Sequence, residues 1–174
     1  MTGTDIHIPT LVTERLVLRA PRPADFPAFA AHCASDRATF SLGRLDARAA
    51  WAEFAAAMGA WGLHGFGAWS LERRDGGAYA GEIMVQRPPH FPEPEIGWTL
   101  MADHEGRGYA HEAARAVLAW ARERLPSLVS YIAPGNARSV ALATRLGATL
   151  DPSAPRPDGE GPEETAVYRH WGRP

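Results

Sequence analysis

The chain has 174 residues, 45% of them apolar and 22% charged, with a formal net charge of −2; it fits one soluble domain with a core of its own. That balance excludes a strong basic field for nucleic acid or anionic lipid, and arginine supplies every positive side chain because there is no lysine. Cys33 is the only cysteine, which excludes an intrachain disulfide and a cysteine zinc site; the seven histidines include no pair at metal-ligand spacing, so no metal is expected.

The opening "MTGTDIHIPTLVTERLVLRA" has no charged start followed by an apolar run. No stretch approaches the roughly 20 apolar residues of a membrane span. The expectation is a cytoplasmic protein with neither membrane nor nucleic-acid partner. "TERLVLRAP" (13–21) alternates Leu16 and Leu18 with polar neighbours and predicts a first strand, stopped by Pro21 and Pro23. "ADFPAFAAHCAS" follows as a short helix with Pro27 in its first turn and Cys33 in the core.

Residues 46–61 predict a better helix, with Asp46 as N-cap. Trp51, Phe54, Met58 and Trp61 recur there at intervals of three and four, a stripe expected to pack on a sheet. Three strand-like runs then stand at hairpin spacing: "FGAWSLERR", "GAYAGEIMVQ" and "EIGWTLM". From Gly108 an alanine-rich helix puts Ala113, Ala114, Val117 and Ala121 on one face. "LVSYIA" reads as a buried strand, and "NARSVALATRLG" as a helix capped by Asn136 and ended by Gly147. "DPSAPRPDGEGPEE" predicts a mobile loop over 151–163, and "ETAVYRHW" a last strand near 164–171. The order is that of a single mixed α/β (α+β) domain over 1–174, with its core at about 13–150.

Gly106 and Gly108 stand between the third of those runs and the alanine-rich helix. Glycine lets a ligand approach the backbone, and the free N–H groups and dipole of a helix start favour phosphate or diphosphate. A phosphate loop of the G-x-x-x-x-G-K-[ST] kind is excluded by the absence of lysine. The dinucleotide fingerprint fails because its third glycine position holds His111.

"EGRGYA", residues 105–110, resembles the acyl-CoA loop of the GNAT superfamily of N-acetyltransferases, Q/R-x-x-G-x-G/A. "NARSVALATRLGA" resembles the second helix motif of that superfamily. "TERLVLR" and "EIGW" are similar to the branch that contains ribosomal-protein N-terminal acetyltransferases. The resemblance implies a mostly antiparallel twisted sheet of six to seven strands with about four helices and a splayed central strand pair. It implies acetyl-CoA as co-substrate and an acyltransferase moving acetyl to a primary amine, on a protein N-terminus or a small molecule. Coenzyme contacts then fall to Leu100, Met101 and Ala102 at the strand end, and to Glu105, Gly106, Arg107, Gly108, Tyr109 and Ala110 in the loop. Asn136 and Ser139 complete that set on the second motif.

Glu105 departs from the pattern, and its carboxylate is expected to point away from diphosphate. A base is needed to deprotonate the amine: Glu95 is the first candidate and Glu82, on the neighbouring strand, the second. Ala143 occupies the position where many relatives carry a tyrosine acid, which leaves Ser139 as the hydroxyl near the sulfur. Tyr109 is expected to pack, His111 to face solvent, and His90 lies in the proline-rich loop. A non-catalytic acyl-CoA-binding module is the alternative reading, and the sequence leaves monomer and homodimer open.

Overall fold

The computed structural model describes residues 6–172. The elements run β1 (Leu11–Val12), β2 (Leu16–Arg19), α1 (Phe26–Cys33), α2 (Ala47–His64), β3 (Ala68–Arg73), β4 (Tyr79–Gln86) and β5 (Glu95–Leu100), then α3 (Tyr109–Arg122), β6 (Leu128–Ile132), α4 (Ala137–Arg145), β7 (Thr149–Leu150) and β8 (Ala166–Trp171). Eight strands form one sheet in the order β1-β2-β3-β4-β5-β6-β8-β7, and only β5 and β6 run parallel. None of the described helices is long and apolar enough to cross a membrane.

The helices begin and end where side-chain chemistry allows. Asp46 accepts a hydrogen bond from the Ala49 N–H at 2.8 Å, and Gly65 ends α2 in the left-handed region at φ 73°. Asn136 caps α4 through Ser139 N–H, and Gly147 closes it at φ 89°. On α3 the small residues Ala113, Ala114, Val117 and Ala121 are fully buried against Ile83, Val85 and Leu71 of the sheet. The aromatic stripe of α2 divides. Trp61 packs edge-on against Trp69 of β3 and Trp120 of α3, whereas Phe54 packs against Phe26 and Phe29 of α1, and Trp51 stays half exposed. A single stripe serves two partners because α1 covers the N-terminal half of α2.

The strand expected over 13–21 begins three residues later, as β2 at Leu16, and is preceded by the short β1. Residues 13–15 are consumed by the turn that returns β1 onto β2, closed by Thr13 N–H to Leu16 O at 2.9 Å. The 151–163 segment makes specific contacts with the sheet and the β4–β5 loop. Ala154 is buried with Val129 and Val167, Arg156 donates to Thr165 O at 2.8 Å, and Asp158 N–H donates to His90 O at 3.0 Å. Beneath it Arg169 makes a bidentate pair with the buried Glu93, at 2.9 and 3.0 Å, and reaches Asp151 at 2.7 Å.

The feature that positions the site is the divergence of β5 and β6. They share one registered pair, Glu95 with Val129; thereafter β5 stays with β4 through Leu100 while β6 stays with β8 through Ile132. At the open end β4 is pressed against β5 by Gly81, at φ 146°, where an added Cβ would lie 2.1 Å from Thr99 O. Replacing Gly81 with alanine therefore combines strain with a backbone clash and is expected to destabilise the fold by about 3 kcal/mol. In a chain of this size that lowers the melting temperature by roughly 10 °C. A thermal melt of Gly81→Ala matching the parent would refute the close approach.

Candidate functional site

Strand alternation decides which backbone groups of β5 face the divergence. Met101 N–H donates to Ala80 O at 2.9 Å, so the amides of residues 97, 99 and 101 serve β4. Those of 96, 98 and 100 turn toward β6, which Ser130 confirms by donating from Oγ to Ile96 O at 2.8 Å. Trp98 and Leu100 lie beyond the last pairing with β6, so their N–H groups point into the opening. Of the expected strand-end donors, Leu100 holds this position. The Met101 amide is taken by β4, and Ala102 opens a 3-10 turn, Ala102–His104. Trp98 was not singled out in the sequence, although a known hairpin register would have revealed it by parity.

The chain then enters the glycine turn. Gly106 and Gly108 have φ of 72° and 80°, a region that side-chain-bearing residues avoid. The first internal bond of α3 runs from Glu112 N–H to Gly108 O, and among the described residues no protein acceptor pairs with the N–H groups of 106–111. The turn is held from behind. Arg15 donates to Arg107 O at 2.9 Å and to Glu112 at 2.6 Å, and lies over the buried Tyr109 ring, 4.9 Å from its centroid. Thr13 Oγ1 donates to the other Glu112 oxygen at 2.6 Å. These contacts spend side chains and leave the amides free, so the turn can cradle an anion. His111 and Arg115 of α3, with Arg145 of α4 and Arg15, line an adjoining recess of about 510 Å³.

Glu105 is engaged by two arginines. Its Oε2 forms a close ion pair with Arg37 and a second with Arg138 at 2.6 Å. Across the opening, Trp98 donates from its indole Nε1 to Ser139 Oγ at 3.2 Å, which leaves the serine's own proton free to be donated. Asn136 gives its side-chain oxygen to the Ser139 N–H at 3.2 Å, so only its amide NH₂ is left to meet a ligand. Ala143 is fully buried against Ile132 and Ala148 and does not reach the opening.

Glu82, Glu95, Gly97 and Thr99 share the sheet face opposite α3, as the pairs Glu82–Thr99 and Gln86–Glu95 require. Both carboxylates are buried, and burial pushes each up to about 7. Glu95 is partnered, accepting from Gln86 Nε2 at 2.6 Å and Tyr131 N–H at 3.3 Å, and its Oε1 lies 3.9 Å from where a side chain on Gly97 would begin. Glu82 has no hydrogen-bond partner among the described residues; after burial, the nearby Glu53 of α2 is what raises it. The two flank Trp98 on the side away from α3.

Other nucleophiles are unfit. Cys33 is buried and its thiol pushed up to about 11 by burial. Ser130 and His170 approach to 3.1 Å, but Ser130 spends its proton on Ile96 O, so the histidine is its donor rather than its base. Burial pushes His170 down to about 4. His90, in the β4–β5 loop, packs edge-on against Phe91.

A GNAT acetyltransferase domain model matches residues 15–149. The crystal structure of an acetyltransferase from Agrobacterium tumefaciens str. C58 is 44% identical, with a TM-score of 0.88 over 98% of this chain and 99% of that one. A GNAT-family acetyltransferase from Bordetella pertussis is 28% identical, with a TM-score of 0.75 over 93% and 98%. The uncharacterized protein YkkB of Bacillus subtilis is 32% identical over 88 residues, 48% of this chain; the match spans about half, 51%, of that protein.

The raised carboxylates make a prediction about stability. An acid held at about 7 in the fold but near 4.5 when unfolded favours the folded state below the lower value. That contribution is lost as pH rises through 7, because unfolding then releases a proton. Glu82→Gln should flatten the fall in denaturant-derived stability between about pH 4.5 and 7 and be the more stable form at pH 8. Parallel pH profiles for parent and variant would show that Glu82 is not held neutral.

Proposed function

The chain belongs to the GNAT acetyltransferase family, and from that premise we propose that it transfers acetyl from acetyl-CoA to a primary amine in a ternary complex. The observation that carries this reading is two groups of unpaired amides, those of Trp98 and Leu100 on the β5 edge and those of the Gly106–Gly108 turn and helix start. The turn amides, with Tyr109 and Ala110 at the helix start, suit the coenzyme diphosphate. The Trp98 and Leu100 amides suit the amide-bearing arm and the thioester carbonyl, and Asn136 NH₂ can reach the same arm from the opposite wall. Acetyl-CoA supplies an activated acyl group; what the protein adds is aim and proton traffic.

A backbone N–H directed at the carbonyl oxygen is worth roughly 3 kcal/mol as negative charge develops there. The incoming nitrogen forms the new bond to carbon as the carbon–sulfur bond breaks, and its proton passes to Glu95, directly or through a water. Glu95 carries this role because its carboxylate lies over Gly97, one residue before the Trp98 amide, with only the Met84 side chain as near to that position. Ser139 Oγ–H donates to the departing sulfur. Glu82, on the same face, receives the ammonium form of the acceptor before it is deprotonated. An α-amine, with a pKa of about 7.7–8.0, needs less help than a lysine-type amine at about 10.4. A base held near 7 is therefore well matched to an α-amine, such as a protein N-terminus, and the likeness of "TERLVLR" and "EIGW" to the N-terminal acetyltransferase branch points the same way.

Gly108→Val forces a β-branched residue to φ 80° and should keep the fold while weakening CoA binding about 100-fold or more, by calorimetry. Parent-like affinity would remove the cradle from the reading. Glu95→Gln should lower kcat about 100-fold in a thiol-release assay, with CoA affinity retained. In the parent, kcat/KM for an α-amine peptide should rise through about pH 7 as Glu95 ionises, and a Glu95→Gln enzyme with the parent's rate and profile would return the base role to Glu82.

A further inference from the structure

Glu105 is the one loop residue whose chemistry is opposite to the family pattern, and its partners explain what it does. Arg37 belongs to the 3-10 turn Asp36–Phe40 that joins α1 to α2, on the sheet face of Glu82 and Glu95. Arg138 belongs to the first turn of α4. The far end of the Asp36–Phe40 turn rests on the other side of the opening: the Phe40 ring lies 3.5 Å from where a side chain at Gly135 would begin, in the β6–α4 connection. One five-residue turn thus reaches from the loop after β5 to the loop after β6. It spans the mouth of the divergence.

The fastening at the Glu105 end is weak without an anion. The Arg37 and Glu105 side chains are 38% and 29% exposed and Arg138 is 82% exposed, and pairs so open to water contribute roughly 0–1 kcal/mol. One carboxylate also serves two guanidinium groups, so the cluster carries a net positive charge, and each guanidinium keeps unused N–H donors. A diphosphate seated on the amides of 106–110, next in the chain, supplies the missing acceptor oxygens and neutralises the excess charge.

We propose that Glu105 is a positioning residue that fastens the Asp36–Phe40 turn across the opening, so that coenzyme binding at the glycine turn and seating of this acceptor-side turn are one coupled equilibrium. The proposal rests on the coenzyme reading above. It assigns the acid at position 105 a purpose that backbone binding of diphosphate leaves free: it holds Arg37 in place for the anion rather than touching the anion itself. An acceptor site closed only after the coenzyme is bound follows as the consequence, since coupling is reciprocal.

Hydrogen–deuterium exchange of the full chain, with and without saturating CoA, tests this together with CoA calorimetry. In the parent, CoA should slow exchange of the amides in 37–41 by about fivefold or more. Glu105→Gln and Arg37→Ala should each abolish that response and weaken CoA binding by about the same factor, roughly fivefold, as reciprocity requires. Glu105→Asp, which keeps the charge, should retain it. Exchange in 37–41 that ignores CoA in the parent, or still responds in Glu105→Gln, overturns the coupling while leaving the coenzyme reading intact. A parent chain that does not bind CoA overturns both, and is recognised by the calorimetry alone.

Discussion

The structure depends on one interruption of hydrogen bonding: two parallel strands that pair at a single residue and then part. Unpaired strand edges inside a sheet are costly, because backbone N–H and C=O groups removed from water require partners. Here the parting is bounded on both sides. β5 is held by six registered pairs with β4 and β6 by five with β8, so each strand is secured by its outer neighbour and the inner edges can separate. At the apex side chains replace the missing ladder: Ser130 Oγ bonds Ile96 O, and Glu95 accepts from Tyr131 N–H. Glu95 thereby has two duties. It closes the apex, and it sits beside the first amides that the closure leaves free.

The electrostatics follow from the same geometry. The opening faces α3 and α4 on one side and the α1–α2 layer on the other, and the charges are divided between them. Unpaired amides and the helix start adjoin a recess lined by Arg15, Arg115 and Arg145 with Glu14 and Glu112, whereas Glu82 and Glu95 share the opposite sheet face, where Glu53 neighbours Glu82. Among the described residues no arginine contributes to the environment of Glu82 or Glu95, and burial dominates both and brings them up to about 7. By contrast Asp25, as buried as Glu82, lies against Arg19 at 2.8 Å and stays below the ordinary carboxylate range despite its burial. The same residue class in the same fold is held charged in one place and raised to about 7 in the other, according to whether a guanidinium is near.

Much of this was legible in the sequence wherever the signal was local. The caps at Asp46 and Asn136, the alanine face of α3 and the glycines before it are each decided by residues within a turn or two, and each is found where periodicity and cap chemistry put it. What was not legible is set by contacts between distant segments. The division of the α2 stripe depends on α1 lying over Phe54, and the contacts of 151–163 are with Thr165, His90 and the cluster around Val129. Proline and glycine there signal a loop but say nothing of what it packs on. Trp98 escaped notice because its role is set by strand parity, which needs the register fixed by Met101 N–H to Ala80 O. Arg37 stands 68 residues before Glu105 and carries no pattern that would link them.

Charge at the glycine turn shows how a family pattern can change sign and keep its purpose. A glutamine or arginine at position 105 would be neutral or cationic, whereas a glutamate standing alone would make the start of the loop anionic. Two arginines on one carboxylate reverse the balance, so the immediate surroundings of the loop remain cationic. The cradle amides are unaffected, because the backbone geometry is set by Gly106 and Gly108 and by Arg15 and Glu112 behind them, not by the side chain at 105. Main-chain donors are present at every residue type, so the side chain in the first position is free to make a contact across the opening: glutamate offers Arg37 a charged acceptor, glutamine only a neutral one and arginine none.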